Sequence, residues 1–253
     1  MRSETMCTTD GILMAKKNTN VSYKYYDLVM AAFVTVLIAA NIIGPAKISQ
    51  LDLPIFGVIT FGAGVLFFPI SFIFGDILTE VYGYAAARRV IWAGFAGLAF
   101  ASLMAWVVVA LPPAPFWENQ EVYEIAFGSA WRVALASLIA FWAGEFANSF
   151  VMAKMKILTQ GKYLWSRTIG STIVGEGVDS ILFYPLAFYN SGIIPNDKLI
   201  LVMFAQFVAK TLVEIVFTPF IYKIINFLKK KEGVDHYDND TNFNPFRLRQ
   251  DHP

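Results

Sequence analysis

The chain has 253 residues, of which 57% are hydrophobic and only 15% are charged. A soluble domain carries about 25% charged residues, and this much apolar surface exceeds what one soluble core can bury. The composition therefore predicts a membrane protein built from helices of about 20 apolar residues. The net charge of +1 implies no nucleic-acid partner. The single cysteine, Cys7, excludes an intrachain disulfide, and we expect no secretory signal peptide.

Six apolar segments follow one another along the chain, separated by Pro, Gly and charged residues. They are residues 28–43, 58–81, 90–111, 130–153, 168–188 and 199–228. These lengths predict an all-α membrane protein with six transmembrane helices in a domain of residues 25–231. Polar tails, 1–24 and 232–253, flank this domain. Residues 112–128 mix glutamates with aromatic residues and are expected to lie at the membrane interface.

The positive charges predict the orientation. With both termini in the cytoplasm, sixteen of the 20 Lys and Arg residues fall on the cytoplasmic side. Cytoplasmic loops of membrane proteins carry an excess of Lys and Arg, so the sequence favours six helices with N- and C-termini cytoplasmic. A chain with one span fewer would lose this asymmetry.

Seven charged residues of the apolar segments are predicted to lie inside the membrane, although a charge at the bilayer centre costs at least about 2.5–3.5 kcal/mol. They are Asp76, Glu80, Glu145, Glu176, Asp179, Lys210 and Glu214. Three pairs share a helix face, spaced i, i+4 or i, i+3: Asp76 with Glu80, Glu176 with Asp179, and Lys210 with Glu214. We therefore predict a polar cavity walled by the second, fifth and sixth helices, with Glu145 and Asn148 nearby, like the midplane site of a carrier.

Structural roles for these charges stay open. Glu80, and less readily the deeper Asp76, could reach toward Arg88 and Arg89 at the helix end. Glu176 precedes a glycine and could mark a helix break with its carboxylate in a water pocket.

Two further ion pairs are also possible structural roles for these charges. Asp179 could pair with Lys210 simply to hold two helices in register, and Glu145 could pair with Lys154 or Lys156. A buried ion pair is nevertheless weak evidence for stability alone, and function is the better reason to keep one in a membrane.

Motifs of other protein classes are missing from the sequence. There is no phosphate-binding loop and no HExxH, and both histidines lie in the C-terminal tail. The sequence therefore predicts no enzyme, no catalytic residue, no cofactor and no metal site.

Three stretches resemble the queuosine precursor transporter family, also called the vitamin uptake transporter family: FPISFIFGDILTEVYGYAAARRVIWAGF, GEGVDSILFYPLAF and AKTLVEIVFTPF. The resemblance covers roughly residues 26–230. It implies a six-helix inner-membrane protein that imports 7-cyano- or 7-aminomethyl-7-deazaguanine, or queuine. The residues that carry over best by motif position are Asp76, Arg88, Arg89, Asp179 and Lys210.

A guanine-like substrate suits the predicted cavity. Asp179 or Glu176 would accept hydrogen bonds from its adjacent N–H groups, because charge-assisted bidentate pairs are strong. Donors for the opposite carbonyl are Lys210, Gln206 and Asn148, and aromatic faces for the ring are Phe183 and Tyr184. Asp76 and Glu80 complete the predicted binding set.

Coupling and gating are assigned to a second set of residues: Asp76, Arg88, Arg89, Glu145 and Glu214. Replacing Asp179 or Asp76 by Asn is expected to abolish uptake while the protein still inserts. Protonated carboxylates could power uptake, and facilitated diffusion with metabolic trapping would look the same.

A substrate-binding subunit of an ATP-driven vitamin importer is a further alternative, but the alanines at 31–32 and 39–40 form no AxxxA docking pattern. We therefore favour a solitary secondary carrier in the bilayer. An intramembrane enzyme and a structural assembly protein are rivals from other classes. A homo-oligomer is compatible with the sequence.

Overall fold

Helices make up most of the fold. The computed structural model describes residues 23–43, 48–53, 57–62, 67–127, 131–192 and 194–247. The helices are α1 Tyr26–Ile43, α2 Phe68–Tyr82, α3 Tyr84–Ala110, α4 Gln120–Phe127, α5 Trp131–Leu158, α6 Leu164–Phe188 and α7 Asn196–Glu232. Two strands, β1 Ile48–Leu53 and β2 Gly57–Gly62, form an antiparallel pair.

The second predicted helix begins later than its apolar pattern indicated. Residues 58–62 pair with β1 as strand β2, and α2 starts at Phe68. A short apolar run does not by itself distinguish a strand from a helix, and this one is rich in β-branched residues and glycine. Pro69 fits the start of α2 because a first-turn residue needs no N–H donor for the helix.

Helix α2 lies at the centre of the bundle. It packs against all five of the other long helices, and all of its side chains are buried or half-buried. Its 15 residues span only about 22 Å, less than the roughly 30 Å hydrocarbon core of a bilayer. The central element is therefore a short helix wrapped by longer ones.

Helices α1, α3 and α7 are long and apolar enough to cross a membrane, and so is a fourth stretch within Gln120–Leu158, the range that contains α4 and α5. The short α2 is not among them, and neither is α6, which is rich in Gly, Ser, Thr and carboxylates. Large apolar side chains are exposed on the outside of the bundle, including Phe100, Trp106, Ile200, Phe204, Val216 and Phe220. Such an outer surface suits lipid rather than water.

A one-residue corner joins α2 to α3. Gly83 has φ 84° and ψ 165°, a backbone conformation that residues with a Cβ rarely adopt, and its N–H donates to the carbonyl of Thr79. A Cβ at this position would also overlap with the ring of His236. Glycine is therefore required here on two grounds.

The start of α1 and the end of α7 lie at the same end of the bundle. The carboxylate of Glu232 accepts hydrogen bonds of 2.8 Å from the backbone N–H groups of Lys24 and Tyr25. The hydroxyl of Tyr82, at the end of α2, donates to the same carboxylate at 2.9 Å. An anion at a helix N-terminus is electrostatically favourable, so Glu232 fastens the first and last helices together.

Candidate functional site

Helices α2, α5, α6 and α7 bring their polar residues together inside the bundle. We call this group the polar core; its members are Asp76, Glu145, Asn148, Ser171, Thr172, Glu176, Asp179, Lys210 and Glu214. Each side chain is buried, with at most 6% of the residue exposed. The predicted gathering of these charges into a common interior is thus present in the structure.

Lys210 carries the positive charge of the polar core. Its Nζ lies 2.8 Å from Asp179 Oδ2 and 3.1 Å from Glu176 Oε2. The spacing of the two acidic residues on α6 places both on the face that meets α7. Nζ also lies 4.0 Å from the ring centroid of Phe68, where a cation–π attraction adds to the ion pairs.

Asp76 is held by neutral donors rather than by a cation. Its Oδ1 accepts hydrogen bonds from Asn148 Nδ2 at 2.9 Å and from Ser171 Oγ at 3.1 Å. Its Oδ2 is buried and has no hydrogen-bond partner among the described residues. This carboxyl group therefore connects α2 to α5 and α6.

Among the described residues, neither Glu145 nor Glu214 forms an ion pair with a lysine or arginine. Thr172 Oγ1 donates to Glu214 Oε1, whereas neither oxygen of Glu145 has a hydrogen-bond partner within the described chain. The carboxyl of Glu145 packs on Gly75, where a Cβ would overlap with its Oε1.

The expected pairing of Glu145 with a neighbouring lysine on α5 is wrong. Lys154 Nζ lies 4.0 Å from the ring centroid of Phe243, and Lys156 Nζ lies 3.5 Å from the carboxylate of Glu80. Both lysines are two to three turns farther along α5 than Glu145, so neither reaches it.

Two glycines allow α5 and α6 to approach closely beside the polar core. A Cβ at Gly144 would lie 2.9 Å from the carbonyl oxygen of Gly175, and a Cβ at Gly175 would lie 3.1 Å from that of Gly144. Contact between backbones in this way is typical of membrane helices with small residues at their interface. At this contact Asn148 lies against Gly175 and Asp179 lies against Gly144.

The remaining predicted binding residues lie toward one end of the polar core. Tyr184 is buried and within electrostatic range of Lys210. Phe183 is half-buried, with its ring 5.3 Å from that of Tyr184 in an edge-on arrangement. Gln206 is half-buried, and its Oε1 is a buried acceptor without a partner in the described part of the chain.

Glu80 lies outside this group, in a separate ion-pair cluster one turn away along α2. Its Oε1 is 2.6 Å from Lys229 Nζ, 2.9 Å from Arg167 Nη2 and 3.5 Å from Lys156 Nζ. Asp235 Oδ1 lies 2.7 Å from Lys156 and 2.8 Å from Lys229. We call these five residues the Glu80 cluster; it holds together α2, α5, α6, α7 and the segment after α7.

Asp235 is the member of the Glu80 cluster that lies beyond the helices. Partial burial acts to raise the pKa of its carboxyl, but the hydrogen bonds from Lys156 and Lys229 outweigh this, and the net pKa lies below the usual value. The ionised form of Asp235 is therefore stabilised by folding.

The arginines that follow Gly83 do not meet the carboxylates of α2. Arg88 is buried and donates hydrogen bonds of 2.8 Å to the backbone carbonyls of Asn242 and Asn244. Arg89 is exposed. The alternative in which Glu80 reaches toward these arginines is wrong, because remote lysines and Arg167 occupy its carboxylate.

Residues 233–247, the C-terminal segment, pack on the start of α3 and were missed by the sequence reasoning. Asp238 accepts hydrogen bonds from the backbone N–H of Tyr84 at 3.0 and 3.1 Å. Trp92 Nε1 donates to the carbonyl of Pro245 at 2.8 Å, and Phe246 packs on the rings of Trp92 and Trp142. The available signal was the aromatic residues within this otherwise polar tail.

Two apolar cavities, of about 370 and 190 Å³, lie on the outer side of α1, α2 and α7. None of the predicted binding or coupling residues lines either one. The side chains of the polar core are all buried. Among the described residues no group of His, Cys, Asp and Glu is arranged to hold a metal ion.

The comparisons with known proteins point to the same family. Residues 62–224 match the profile of a family described as "Putative vitamin uptake transporter". The chain is 32% identical over 148 residues to a "Probable queuosine precursor transporter" of Bacillus subtilis (strain 168), which covers 58% of this chain and 64% of that protein. It is 26% identical over 170 residues to the "Queuosine precursor transporter" of Escherichia coli (strain K12), covering 66% of this chain and 74% of that protein.

A "Probable queuosine precursor transporter" of Haemophilus influenzae is 26% identical over 128 residues, about half of each chain. The match thus spans less than two thirds of the Bacillus and Haemophilus relatives. No solved structure is significantly similar to this chain.

Fold and site define a multi-pass helical membrane protein that buries a charged interior, a class that includes carriers. The family profile covers well over half of the chain, and the chain belongs to the vitamin uptake transporter family. It accordingly lies in the cell inner membrane as a multi-pass protein.

Proposed function

We propose that this protein imports 7-deazaguanine precursors of queuosine, such as 7-cyano- or 7-aminomethyl-7-deazaguanine, as a solitary secondary carrier. The names of the curated relatives support this substrate class. The observation that carries the proposal is a set of buried polar atoms on α2, α5, α6 and α7, the helices of the polar core, that lack a hydrogen-bond partner within the described chain. They are Asp76 Oδ2, Asn148 Oδ1, Glu176 Oε1, Ser180 Oγ and Gln206 Oε1.

Unsatisfied buried acceptors are costly, and proteins normally pair them with water or ligand. A deazaguanine offers adjacent N–H donors that Glu176 or Asp179 would accept, and a carbonyl that Lys210 would meet as a charged donor. The aromatic rings of Phe183 and Tyr184 supply a flat apolar neighbour.

Admission of a purine requires the polar core to open. The Glu80 cluster ties four helices at one end, and the C-terminal segment joins it through Asp235. We assign this cluster and Arg88 to gating at that end, and the opposite end, near Tyr184, to substrate entry. Alternation between the two closures is the behaviour expected of a carrier.

We further propose six membrane-spanning helices, α1, α2, α3, α5, α6 and α7, in a transport domain of residues 25–231, with both termini cytoplasmic. Glu232 holds the start of α1 and the end of α7 at one end of the bundle, as an even number of spans requires. The excess of Lys and Arg at this end supports the cytoplasmic side. C-terminal fusions to green fluorescent protein are expected to fluoresce, and alkaline phosphatase fusions to be inactive.

The decisive experiment is uptake of radiolabelled 7-cyano-7-deazaguanine into proteoliposomes that contain only the purified chain. The wild-type protein is expected to exchange internal for external label, and Asp179→Asn to lose this counterflow. Glu121→Gln, a change at an exposed site on α4, is the matched control. If well-folded wild-type protein showed no counterflow, the result would count against this function. Counterflow that is the same in Asp179→Asn as in wild type would also count against it.

A further inference from the structure

The negative charges of the polar core outnumber its positive charge. Its five acidic residues are Asp76, Glu145, Glu176, Asp179 and Glu214, whereas Lys210 is its one lysine and contacts only two of them. Three carboxyl groups are thus left without a cation in direct contact in this part of the structure.

Glu145 is the least compensated of these groups. It is 0% exposed, and neither oxygen has a hydrogen-bond partner among the described residues. Helices α2, α6 and α7 present further acids to it. By contrast, α3 meets α5 through the rings of Trp92, Trp142 and Phe146, and α1 meets α5 through Phe33 and Asn41. These facing acids are Asp76 on α2, Glu176 and Asp179 on α6, and Glu214 on α7.

An ionised carboxylate in such a place would lack solvation, cation and hydrogen-bond donors at once, and would be repelled by its neighbours. The neutral acid removes most of these costs. Helix α2 also provides a fitted position for it, since the carboxyl of Glu145 fills the space left by the missing side chain of Gly75, one residue from Asp76. A change in the charge of Glu145 would therefore act directly on the packing of α5 against α2.

We propose that Glu145 binds the proton that is cotransported with each substrate molecule. It is protonated in the closed polar core described here. When the core opens to the cytoplasm, water reaches the carboxyl and the proton leaves with the substrate. The empty, ionised carrier then returns to its outward-open form, where a new proton must bind to Glu145 before the substrate-loaded core can close. This inference rests on the proposed import function and adds its energy source.

The test compares two readouts in the same proteoliposomes, counterflow and net uptake of 7-cyano-7-deazaguanine driven by an inside-alkaline pH gradient. For one proton per substrate, a gradient of about one pH unit supports about tenfold accumulation. Glu145→Gln imitates the protonated acid, and it is expected to keep counterflow but to lose accumulation and the accompanying proton influx reported by a trapped pH dye. Glu121→Gln serves again as the control.

A direct spectroscopic measurement is independent of transport. Infrared difference spectra are expected to contain a carbonyl band of a protonated carboxylic acid that Glu145→Gln removes. The assignment to Glu145 would be overturned if Glu145→Gln accumulated substrate as wild type does, or if accumulation were lost only in Glu214→Gln. An infrared band that is unchanged in Glu145→Gln would overturn it as well. Wild-type counterflow without any response to the gradient would overturn proton coupling and leave the import function standing, whereas wild-type protein without counterflow would refute both.

Discussion

Replacing Gly175 by alanine tests whether the close contact between α5 and α6 is a real constraint. A Cβ there would lie 2.7 Å from Asn148 Cβ, 2.9 Å from Phe72 Cε1 and 3.1 Å from the carbonyl oxygen of Gly144. The carbonyl oxygen of Gly144 belongs to the backbone, and the Cβ of Asn148 is attached directly to its own backbone. Neither atom can therefore move away by a side-chain rotation. The helices would have to separate at the polar core.

Gly177, two residues further along the same helix, offers a matched control. A Cβ at Gly177 would meet only Phe207 Cε2, at 3.9 Å, which is an ordinary contact. Alanine is favoured over glycine within a helix by about 1 kcal/mol at either position. Overpacking a well-packed interior costs about 1–3 kcal/mol and applies to Gly175 alone. Gly177→Ala should therefore stabilise, whereas Gly175→Ala should be neutral to destabilising by about 2 kcal/mol.

The assay is thermal unfolding of the purified protein in detergent, followed by tryptophan fluorescence at one fixed scan rate. For a chain of this size, about 1 kcal/mol corresponds to a change of roughly 2–4 °C in Tm. Gly177→Ala is expected to melt above wild type and Gly175→Ala below it or level with it. An equal rise in Tm for both variants would show that the contact is loose and would refute the reasoning.

Three other expectations follow from the same contacts. Asp238→Ala removes the acceptor for the N–H of Tyr84 and should lower stability by about 0.5–2 kcal/mol; faster proteolysis of the C-terminal segment is the accompanying sign, and an unaltered cleavage rate would contradict it. Lys210→Met leaves buried acids uncompensated and should cost about 3–5 kcal/mol. Part of this loss should return in Lys210→Met with Asp179→Asn; no recovery of Tm would argue against the ion pair. Folding lowers the pKa of Asp235, so its contribution is complete above the usual carboxyl pKa and is lost as pH falls through the lower, folded value. Stability of Asp235→Asn should consequently fall less than wild type on acidification, and parallel curves would exclude this contribution.

The sequence was most informative where a charge interrupts an apolar helix. Spacing along α6 and α7 placed Glu176, Asp179 and Lys210 on facing surfaces, and the structure brings the three together. This succeeds because local helical geometry fixes the side of a helix on which a residue lies. The start of α2 at Phe68 was not predictable in this way, since hydrophobicity alone does not separate a strand from a helix.

Contacts between segments far apart in the chain could not be predicted from spacing. The partners of Glu80 come from three other helices, and nothing in the local pattern chooses them over the nearby Arg88. The packing of residues 233–247 depends on capping and ring contacts with α3. Such partners are set by tertiary arrangement, which a single sequence does not specify.

The corner at Gly83 limits how this protein can move. A single residue with positive φ leaves α2 and α3 no slack, and Asp238 and Arg88 strap the C-terminal segment across the joint. Helices α2 and α3 and the C-terminal segment are therefore expected to move together as one rigid unit. Any hinge in the bundle then lies outside the junction of α2 and α3.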